Sequence, residues 1–257
     1  MGSDLSHFPH RVSTPNRERP IALLDTISHV DHNSKSCRGQ TVVHRLLMYI
    51  LTRCIVIQAD EAALSKICLL TCDAGKSGES LHDYPELPGL VYAVPYVKLP
   101  YTWGFVMERD DTKEVVGYIL GATDTRAFEK AAKETWWPSL APKYPVEGEH
   151  RIAGKRADKQ YAKLISNVDA IEQECIDFSP AHLHINIFED YQRRGWGREL
   201  IGRAVKHLRD EIGLDGVFLG MDMRNTDARK FYERIGFKRW SGAPEHSVGL
   251  KFADWRY

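Results

Sequence analysis

The sequence has no net charge, because its 35 basic and 35 acidic residues cancel. Without a surplus of positive charge, the protein has no overall field that would attract nucleic acid or an anionic membrane. We therefore expect neither a nucleic-acid partner nor a membrane partner. An anionic ligand must be held by a local arrangement of groups.

Cysteine is scarce, and the five that are present form no Cys-x-x-Cys pair. An odd number without paired spacing argues against a disulfide framework and for a reducing compartment, so we expect a cytoplasmic protein. Cys68 and Cys72 have helical spacing, but no second Cys or His pair stands at a matching spacing. Buried packing explains these two better than a metal site does, and we expect no metal.

The chain also lacks a long uninterrupted apolar run. The longest, residues 41–57, contains His44, Arg45 and Arg53 and is too polar for a membrane span. No signal-peptide arrangement precedes it. The basic and hydroxyl residues before Arg53 leave a mitochondrial transit peptide open as an alternative, although four acidic residues in the same stretch count against it.

The composition is that of a globular protein, with 43% hydrophobic and 27% charged residues. Residues 1–50 are rich in Ser, His, Asn, Pro and Arg and show no sustained periodicity, which predicts a flexible N-terminal tail. Residues 51–257 form the predicted domain. Within it, residues 123–180 carry helical runs separated by prolines, which predicts a helical insertion over the substrate site.

Hydrophobic periodicity divides the domain into strands and helices. It predicts strands at residues 54–58, 103–108, 115–122, 182–188, 216–222, 237–240 and 247–252. It predicts helices from Asp60 and at residues 90–97, 125–136, 157–168, 194–212 and 226–235. The order indicates an α/β (α+β) fold, with helices on the faces of a mixed, mostly antiparallel sheet of six to seven strands. The insertion falls between the third and fourth strands.

Residues 192–197, Gln-Arg-Arg-Gly-Trp-Gly, stand between a predicted strand and a predicted helix. Glycines at alternate positions let several backbone N–H groups converge on a phosphate, and the positive end of the helix dipole adds to the attraction. Arg193, Arg194 and Arg198 place further positive charge there. The turn predicts a pyrophosphate site, although a Gly-x-Gly after a strand is also a common tight entry to a helix.

A second segment follows the next strand at residues 225–237, Asn-Thr-Asp-Ala-Arg-Lys-Phe-Tyr-Glu-Arg-Ile-Gly-Phe. Together with the turn at 192–197, it resembles the acetyl-CoA-binding half of GNAT acetyltransferases. The resemblance implies the GNAT fold and acetyl-CoA as cofactor. It implies that the cofactor is bound by Ile187, Phe188, Gln192, Arg193, Arg194, Gly195, Trp196, Gly197, Arg198, Asn225, Ala228 and Phe231.

Tyr232 falls on the general-acid tyrosine of the family. Acetyl transfer to an amine expels a thiolate, and a phenol held near the sulfur can protonate it. The alternative is that Tyr232 is a core aromatic beside Phe231.

Three upstream segments extend the resemblance, at residues 67–75, 117–128 and 136–138. They are similar to a subgroup that contains the acetyltransferase-like domain of O-GlcNAcase and its stand-alone bacterial relatives. In the O-GlcNAcase domain the cofactor turn is degraded, whereas residues 192–197 here are intact. That difference favours a working enzyme.

The acceptor amine must lose a proton, so a carboxylate or imidazole should reach it directly or through water. Asp222, after a predicted strand, is the first choice for this base, and Asp124 is the first choice for substrate binding. Asp73 and His184 are further candidates for the substrate side. Each acid has the alternative of a helix cap or a surface residue, and Asp124 is the best placed to be a cap.

These features predict an N-acetyltransferase that moves acetyl directly from acetyl-CoA to a primary amine of a small molecule, with an amino sugar as one candidate. Direct transfer is favoured because no cysteine stands where it would act as the nucleophile of a two-step reaction. The alternatives are a non-catalytic acyl-CoA-binding or protein-interaction module, and an acetyltransferase of protein lysines or N-termini. We expect a monomer or a homodimer.

Overall fold

The structure, a computed structural model, describes residues 50–54 and 57–256. Residues 1–49 of the predicted N-terminal tail lie outside the described residues. Residues 55 and 56 of the strand predicted at 54–58 lie outside them too. No helix in the described ranges is long and apolar enough to cross a membrane.

One mixed sheet forms the centre of the domain, and its strands lie in chain order. They are β1 Ile50–Cys54, β2 Thr102–Arg109, β3 Val115–Ala122, β4 His182–Ile187, β5 Gly216–Gly220 and β6 Ser247–Lys251. Neighbouring strands are antiparallel except for β4 and β5, which are parallel. The predicted fold class and the mostly antiparallel sheet are confirmed.

The helices lie on both faces of this sheet. They are α1 Ile57–Leu69, α2 Leu87–Tyr92, α3 Pro95–Lys98, α4 Thr125–Ala131, α5 Trp137–Leu140, α6 Arg156–Ser166, α7 Gln173–Phe178, α8 Trp196–Lys206 and α9 Thr226–Ile235. A wider π-helical turn, Ala132–Trp136, joins α4 to α5, and another, His207–Glu211, extends α8. Helices α4 to α7 make up the predicted insertion between β3 and β4.

Two of the predicted strands are wrong, one in its position and the other because the residues form no strand. The first strand is Ile50–Cys54, and the chain is already helical at Ile57, where a strand was expected to continue. Residues 237–240 form no strand, because only Lys238 bridges to Gly249 of β6. Phe237, at the start of this stretch, is buried in the core without strand pairing.

Burial explains the layering. Every residue of β3 is buried, as expected of a strand with helices on both of its faces. One core cluster packs α8 and α9 against the sheet through residues such as Leu200, Ile201 and Ile235. A second cluster packs α1 and α3 on the sheet through Leu64 and Val97.

The insertion is held to the rest of the domain by a buried carboxylate on α6. Asp158 is completely buried and accepts hydrogen bonds from His82 Nδ1 at 2.7 Å and from the backbone N–H groups of Asp83 at 2.9 Å and Lys155 at 2.8 Å. Burial alone would raise the pKa of Asp158, but these donors outweigh it and the pKa is lowered. The ionised carboxylate therefore anchors the insertion.

Candidate active site

Strands β4 and β5 diverge from a single point of contact. They pair only at His182 and Phe218, whereas β4 pairs with β3 along its whole length. Beyond His182, the side of β4 that faces β5 therefore has no strand beside it. This divergence opens a cleft in the middle of the sheet.

The backbone N–H and C=O groups of successive β4 residues point alternately to β3 and to the cleft, so the residues that face the cleft can be identified. Phe188 donates its N–H to Val116 in β3, and Ala181 accepts from Phe218 in β5. Because successive residues of a strand point their backbone groups to opposite sides, the odd-numbered residues between these two face the cleft. They are Leu183, Ile185 and Ile187.

Phe188 was expected to share in this edge with Ile187. Its N–H is bonded to β3, and its carbonyl accepts from Tyr191 at 2.9 Å. Both backbone groups of Phe188 are thus engaged within the chain, and the edge available to a ligand ends at Ile187.

The turn at residues 192–197 follows directly. Arg193 and Gly195 adopt left-handed φ angles of 59° and 91°, and α8 begins at Trp196. The Gln192 side chain donates to the carbonyl of Ile187 at 2.8 Å, which ties the turn to the end of β4.

The turn has the character of an anion site. Its residues from Arg193 to Gly195 are exposed, and their N–H groups donate to no backbone oxygen within the described ranges. Arg198 stands on the first turn of α8 and is exposed too. Unused donors at the start of a helix, with positive side chains around them, favour a phosphate group.

Gly197 is required by its neighbour on α9. A Cβ atom there would lie 3.0 Å from the ring of Phe231, so a larger residue would have to displace that ring. Phe231 in turn packs against Tyr232, with ring centroids 5.3 Å apart. The turn and the start of α9 are therefore in direct contact.

Asn225 caps α9. Its side-chain oxygen accepts from the N–H of Ala228 at 3.0 Å, as a helix N-cap does. Both residues also line a cavity of about 640 Å3 that lies within the cleft. At its other end α9 stops at Gly236, which takes a left-handed φ of 109° as a helix C-cap commonly does.

The cavity brings several predicted site residues together. Its walls include His184 from β4, Tyr232 from α9 and Asp222 from the loop after β5. Tyr92, Tyr161 and Glu172 also line it, and the sequence did not point to any of the three. They lie on α2, on α6 and at the start of α7, where no motif marks them.

The position of Tyr232 is compatible with both interpretations of the sequence, the core aromatic and the general acid. It is 8% exposed and packs against Phe231 and Phe237, as a core aromatic does. Tyr232 also lines the cavity, and its hydroxyl makes no hydrogen bond to the residues that the structure describes. Burial raises the pKa of Tyr232, so the phenol keeps its proton at neutral pH.

Asp222 is engaged with a neighbouring arginine. Arg224 donates to its carboxylate from Nη2 at 2.7 Å and from the backbone N–H at 2.8 Å. The same guanidinium reaches Asp73 at 2.9 Å. The bonds from Arg224 lower the pKa of Asp222, which makes it a weaker base. The two acids therefore form a bridge between the loop after α1 and the loop after β5.

Asp124 lies outside the cavity lining. It is exposed and caps α4 by accepting from the N–H of Ala127 at 3.0 Å. The structure therefore shows Asp124 as the helix cap that the sequence offered as its alternative role. Its carboxylate is directed to its own helix and not to the cavity. Asp73 is likewise absent from the lining, although Ala74 and Gly75 beside it are present.

His184 faces the cavity from β4. Its Nε2 lies 2.9 Å from the hydroxyl of Tyr96, and its ring packs against Tyr92 at 5.8 Å between centroids. Burial lowers the pKa of His184 to about 4, so the ring is neutral at physiological pH. The lowered pKa makes His184 a weaker base as well, but its neutral imidazole keeps one nitrogen that can accept a proton, whereas the Asp222 carboxylate is occupied by Arg224.

Three cysteines line the same cavity, although the sequence offered no reason to place them there. They are Cys68, Cys72 and Cys175. Burial raises the pKa of each thiol, that of Cys68 to about 12. A protonated thiol is a poor nucleophile. Across the described residues, no group of three or more His, Cys, Asp or Glu side chains is placed to hold a metal ion.

The chain is similar to a known family and to a solved structure. Residues 169–237 match the family model described as Acetyltransferase (GNAT) family. The crystal structure of SsHAT is similar over 79% of this chain and 98% of its own, at 31% identity and a TM-score of 0.69.

Two curated relatives match a short segment. The mycothiol acetyltransferase of Salinispora tropica is 44% identical over 55 residues, or 21% of this chain. That of Salinispora arenicola is 49% identical over 47 residues, or 18% of this chain. The matched segments span only 18% and 15% of the lengths of those two relatives.

Proposed function

The chain belongs to the GNAT acetyltransferase family, and on this premise we propose that it transfers acetyl from acetyl-CoA directly to the primary amine of a small molecule. The observation that carries the proposal is the divergence of β4 and β5 after His182. It leaves one cavity that holds Tyr232 and His184 beside an unpaired strand edge.

The residues around the cleft fit acetyl-CoA. The exposed N–H groups of residues 193–195 and the start of α8 suit its pyrophosphate. The backbone groups of Ile185 and the N–H of Ile187 face the cleft and suit the amides of its pantetheine arm, which would pair with them as a strand does. Asn225 and Ala228 line the other wall.

When bound, acetyl-CoA supplies an acetyl group as a thioester. The chain's own residues then manage two protons. Nδ1 of His184 would accept the proton that the amine nitrogen loses as its bond to the carbonyl carbon forms. The hydroxyl of Tyr232 would give its proton to the sulfur as the carbon–sulfur bond breaks, and exchange with water would restore both side chains. Asp222, held by Arg224, closes the cavity wall and takes no proton in this scheme.

Transfer is direct because the cavity offers no activated nucleophile. The thiols of Cys68, Cys72 and Cys175 all have raised pKa values and remain protonated at neutral pH. Cys72 is the least buried of the three cysteines. We therefore expect the variant Cys72→Ser to retain turnover.

A small acceptor fits because the insertion lines the cavity. Tyr161, Ile171 and Glu172 close it on that side. The tyrosine rings and a carboxylate offer stacking surface and hydrogen bonds suited to an amino sugar. The resemblance of residues 67–75, 117–128 and 136–138 to the subgroup that contains the acetyltransferase-like domain of O-GlcNAcase favours an amino sugar too.

The test is a free-thiol assay of CoA release across amino sugars, polyamines, amino acids and peptides. We expect release with a small amine and a sharp loss of turnover in Tyr232→Phe at unchanged acetyl-CoA affinity. Turnover equal to wild type in Tyr232→Phe would remove this residue from the mechanism. Acetyl-CoA binding without release by any amine would instead support a non-catalytic module, and release with peptides alone would support protein acetylation.

Cofactor binding is tested separately by calorimetry. Gly197→Glu should abolish acetyl-CoA binding, because the side chain displaces Phe231 and adds a negative charge beside the turn. Gln160→Glu is the matched control, since it adds the same charge at an exposed position of α6. Normal affinity in Gly197→Glu would contradict the assignment of the pyrophosphate site.

A further inference from the structure

A chain of hydrogen bonds runs behind His184, away from the cavity. Nε2 of His184 lies 2.9 Å from the Tyr96 hydroxyl, which lies 2.7 Å from Nε2 of His182. Nδ1 of His182 lies 2.7 Å from the hydroxyl of Thr125, and that hydroxyl donates to the carbonyl of Pro180 at 2.7 Å.

The far end of this chain determines where each proton lies. A carbonyl cannot donate, so the single proton of the Thr125 hydroxyl points to Pro180. Thr125 must then accept from His182, which places a proton on Nδ1 of His182. A neutral imidazole carries one N–H, so Nε2 of His182 is an acceptor.

The positions of the protons can be followed in the same way to His184, at the cavity end of the chain of hydrogen bonds. Tyr96 has one proton and gives it to Nε2 of His182, so its oxygen accepts from Nε2–H of His184. His184 therefore carries its proton on Nε2, and Nδ1 holds a lone pair. Within the described part of the chain that Nδ1 has no hydrogen-bond partner, and the partly buried ring lines the cavity.

We propose that Thr125, His182 and Tyr96 are positioning residues that hold His184 as the Nε2–H tautomer, so that its Nδ1 meets the acceptor amine. The assignment deepens the proposed function and rests on it for the identity of the acceptor. In the opposite tautomer, His184 would present an N–H to the amine and could not accept its proton.

The surroundings keep the chain intact. Tyr96 and His182 are buried, and Phe128 of the insertion stacks on Tyr96 with ring centroids 4.6 Å apart. Water is thus kept from competing for these bonds, which are stronger in a dry interior. Thr125 is the first residue of α4, which belongs to the insertion. The insertion therefore contributes the far end of the chain of hydrogen bonds to His184 and also lines the cavity.

The tautomers can be observed directly. Histidine 15N resonances in the full chain distinguish protonated from unprotonated ring nitrogens, and His184→Gln and His182→Gln assign the signals. We expect His184 to be protonated only at Nε2 and His182 only at Nδ1. A proton on Nδ1 of His184 would overturn the proposal whether or not any amine is acetylated, so this outcome is independent of the assigned reaction.

Kinetics supply the second test. Tyr96→Phe breaks the chain in its middle, and loss of such an outer-shell partner lowers activity about 10–100-fold where it has been measured for ligand histidines. We expect a fall of this order in kcat, with the KM for acetyl-CoA unchanged. Tyr144→Phe is the matched control, because it removes one hydrogen bond from a buried tyrosine outside the cavity.

The far end of the chain is tested at Thr125. Thr125→Ser keeps the hydroxyl and should retain the wild-type tautomer and kcat, whereas Thr125→Val should mix the tautomers of both histidines and lower kcat. A kcat in Tyr96→Phe equal to that of Tyr144→Phe, or equal losses in both Thr125 variants, would overturn the positioning role.

Discussion

The buried carboxylate of Asp158 should dominate the stability of the insertion. Replacing it in Asp158→Ala removes the acceptor of the ring N–H of His82, which is buried, and of the backbone N–H groups of Asp83 and Lys155, which are exposed residues. An unsatisfied buried donor costs about 1–3 kcal/mol. We expect a loss of about 1–3 kcal/mol, because the buried donor of His82 cannot turn to water whereas the donors of the exposed residues can.

Chemical denaturation at neutral pH measures the change. A loss of about 1–3 kcal/mol should also lower the melting temperature by about 2–12 °C in a domain of this size. Asp110→Ala is the matched control, because Asp110 bonds Lys113 on the surface and exposed pairs contribute about 0–1 kcal/mol. A loss below about 1 kcal/mol in Asp158→Ala would refute the assignment of Asp158 as the anchor.

The effect should depend on pH in a defined direction. The pKa of Asp158 is lowered in the folded protein, so the unfolded chain binds the proton more tightly. Its contribution is complete above the unfolded pKa of about 3.9 and is lost as pH falls through the lower folded pKa. The difference between wild type and Asp158→Ala should thus stay constant at neutral pH and narrow only in acid.

Three further outcomes are expected. Asp222→Asn should lower kcat less than tenfold, because Asp222 serves as a bridge to Arg224, whereas loss of a general base costs about 10²–10⁴-fold in the same CoA-release assay. Asp124→Ala should cost about 1 kcal/mol in denaturation for the lost helix cap while kcat stays at wild type; a large fall in kcat would restore its role in substrate binding. Gly236→Ala should destabilise by about 1–3 kcal/mol, since the residue has φ 109° and its Cβ would lie 2.3 Å from the carbonyl of Asp254; an unchanged melting temperature would contradict this.

Local signals explain why the last third of the chain was the best predicted. The turn at 192–197, the helix Thr226–Ile235 and the C-cap at Gly236 are each specified by residues that are close in sequence. Alternation and helical spacing also identified β2, β3 and the insertion between β3 and β4. The fold class followed from the order of these elements.

The cofactor side follows from the sequence for the same reason. A phosphate turn is made by consecutive backbone groups, so its residues are adjacent in the chain. The assignments of Gly195, Gly197 and Tyr232 stay predictions that the binding and turnover experiments test. The sequence alone led to the prediction that these residues bind a pyrophosphate and protonate a thiolate.

The acceptor side was decided only by tertiary structure. Tyr96 and His184 are 88 residues apart, and His82 and Asp158 are 76 apart, so no local pattern links either pair. The sequence predicted Asp222 as the base, with a helix cap or a surface residue as the alternative, and the structure pairs its carboxylate with Arg224. Packing of the insertion decides which polar atoms are buried, and burial with a particular partner decides which nitrogen holds a proton. A linear sequence shows the residue types but not these partners.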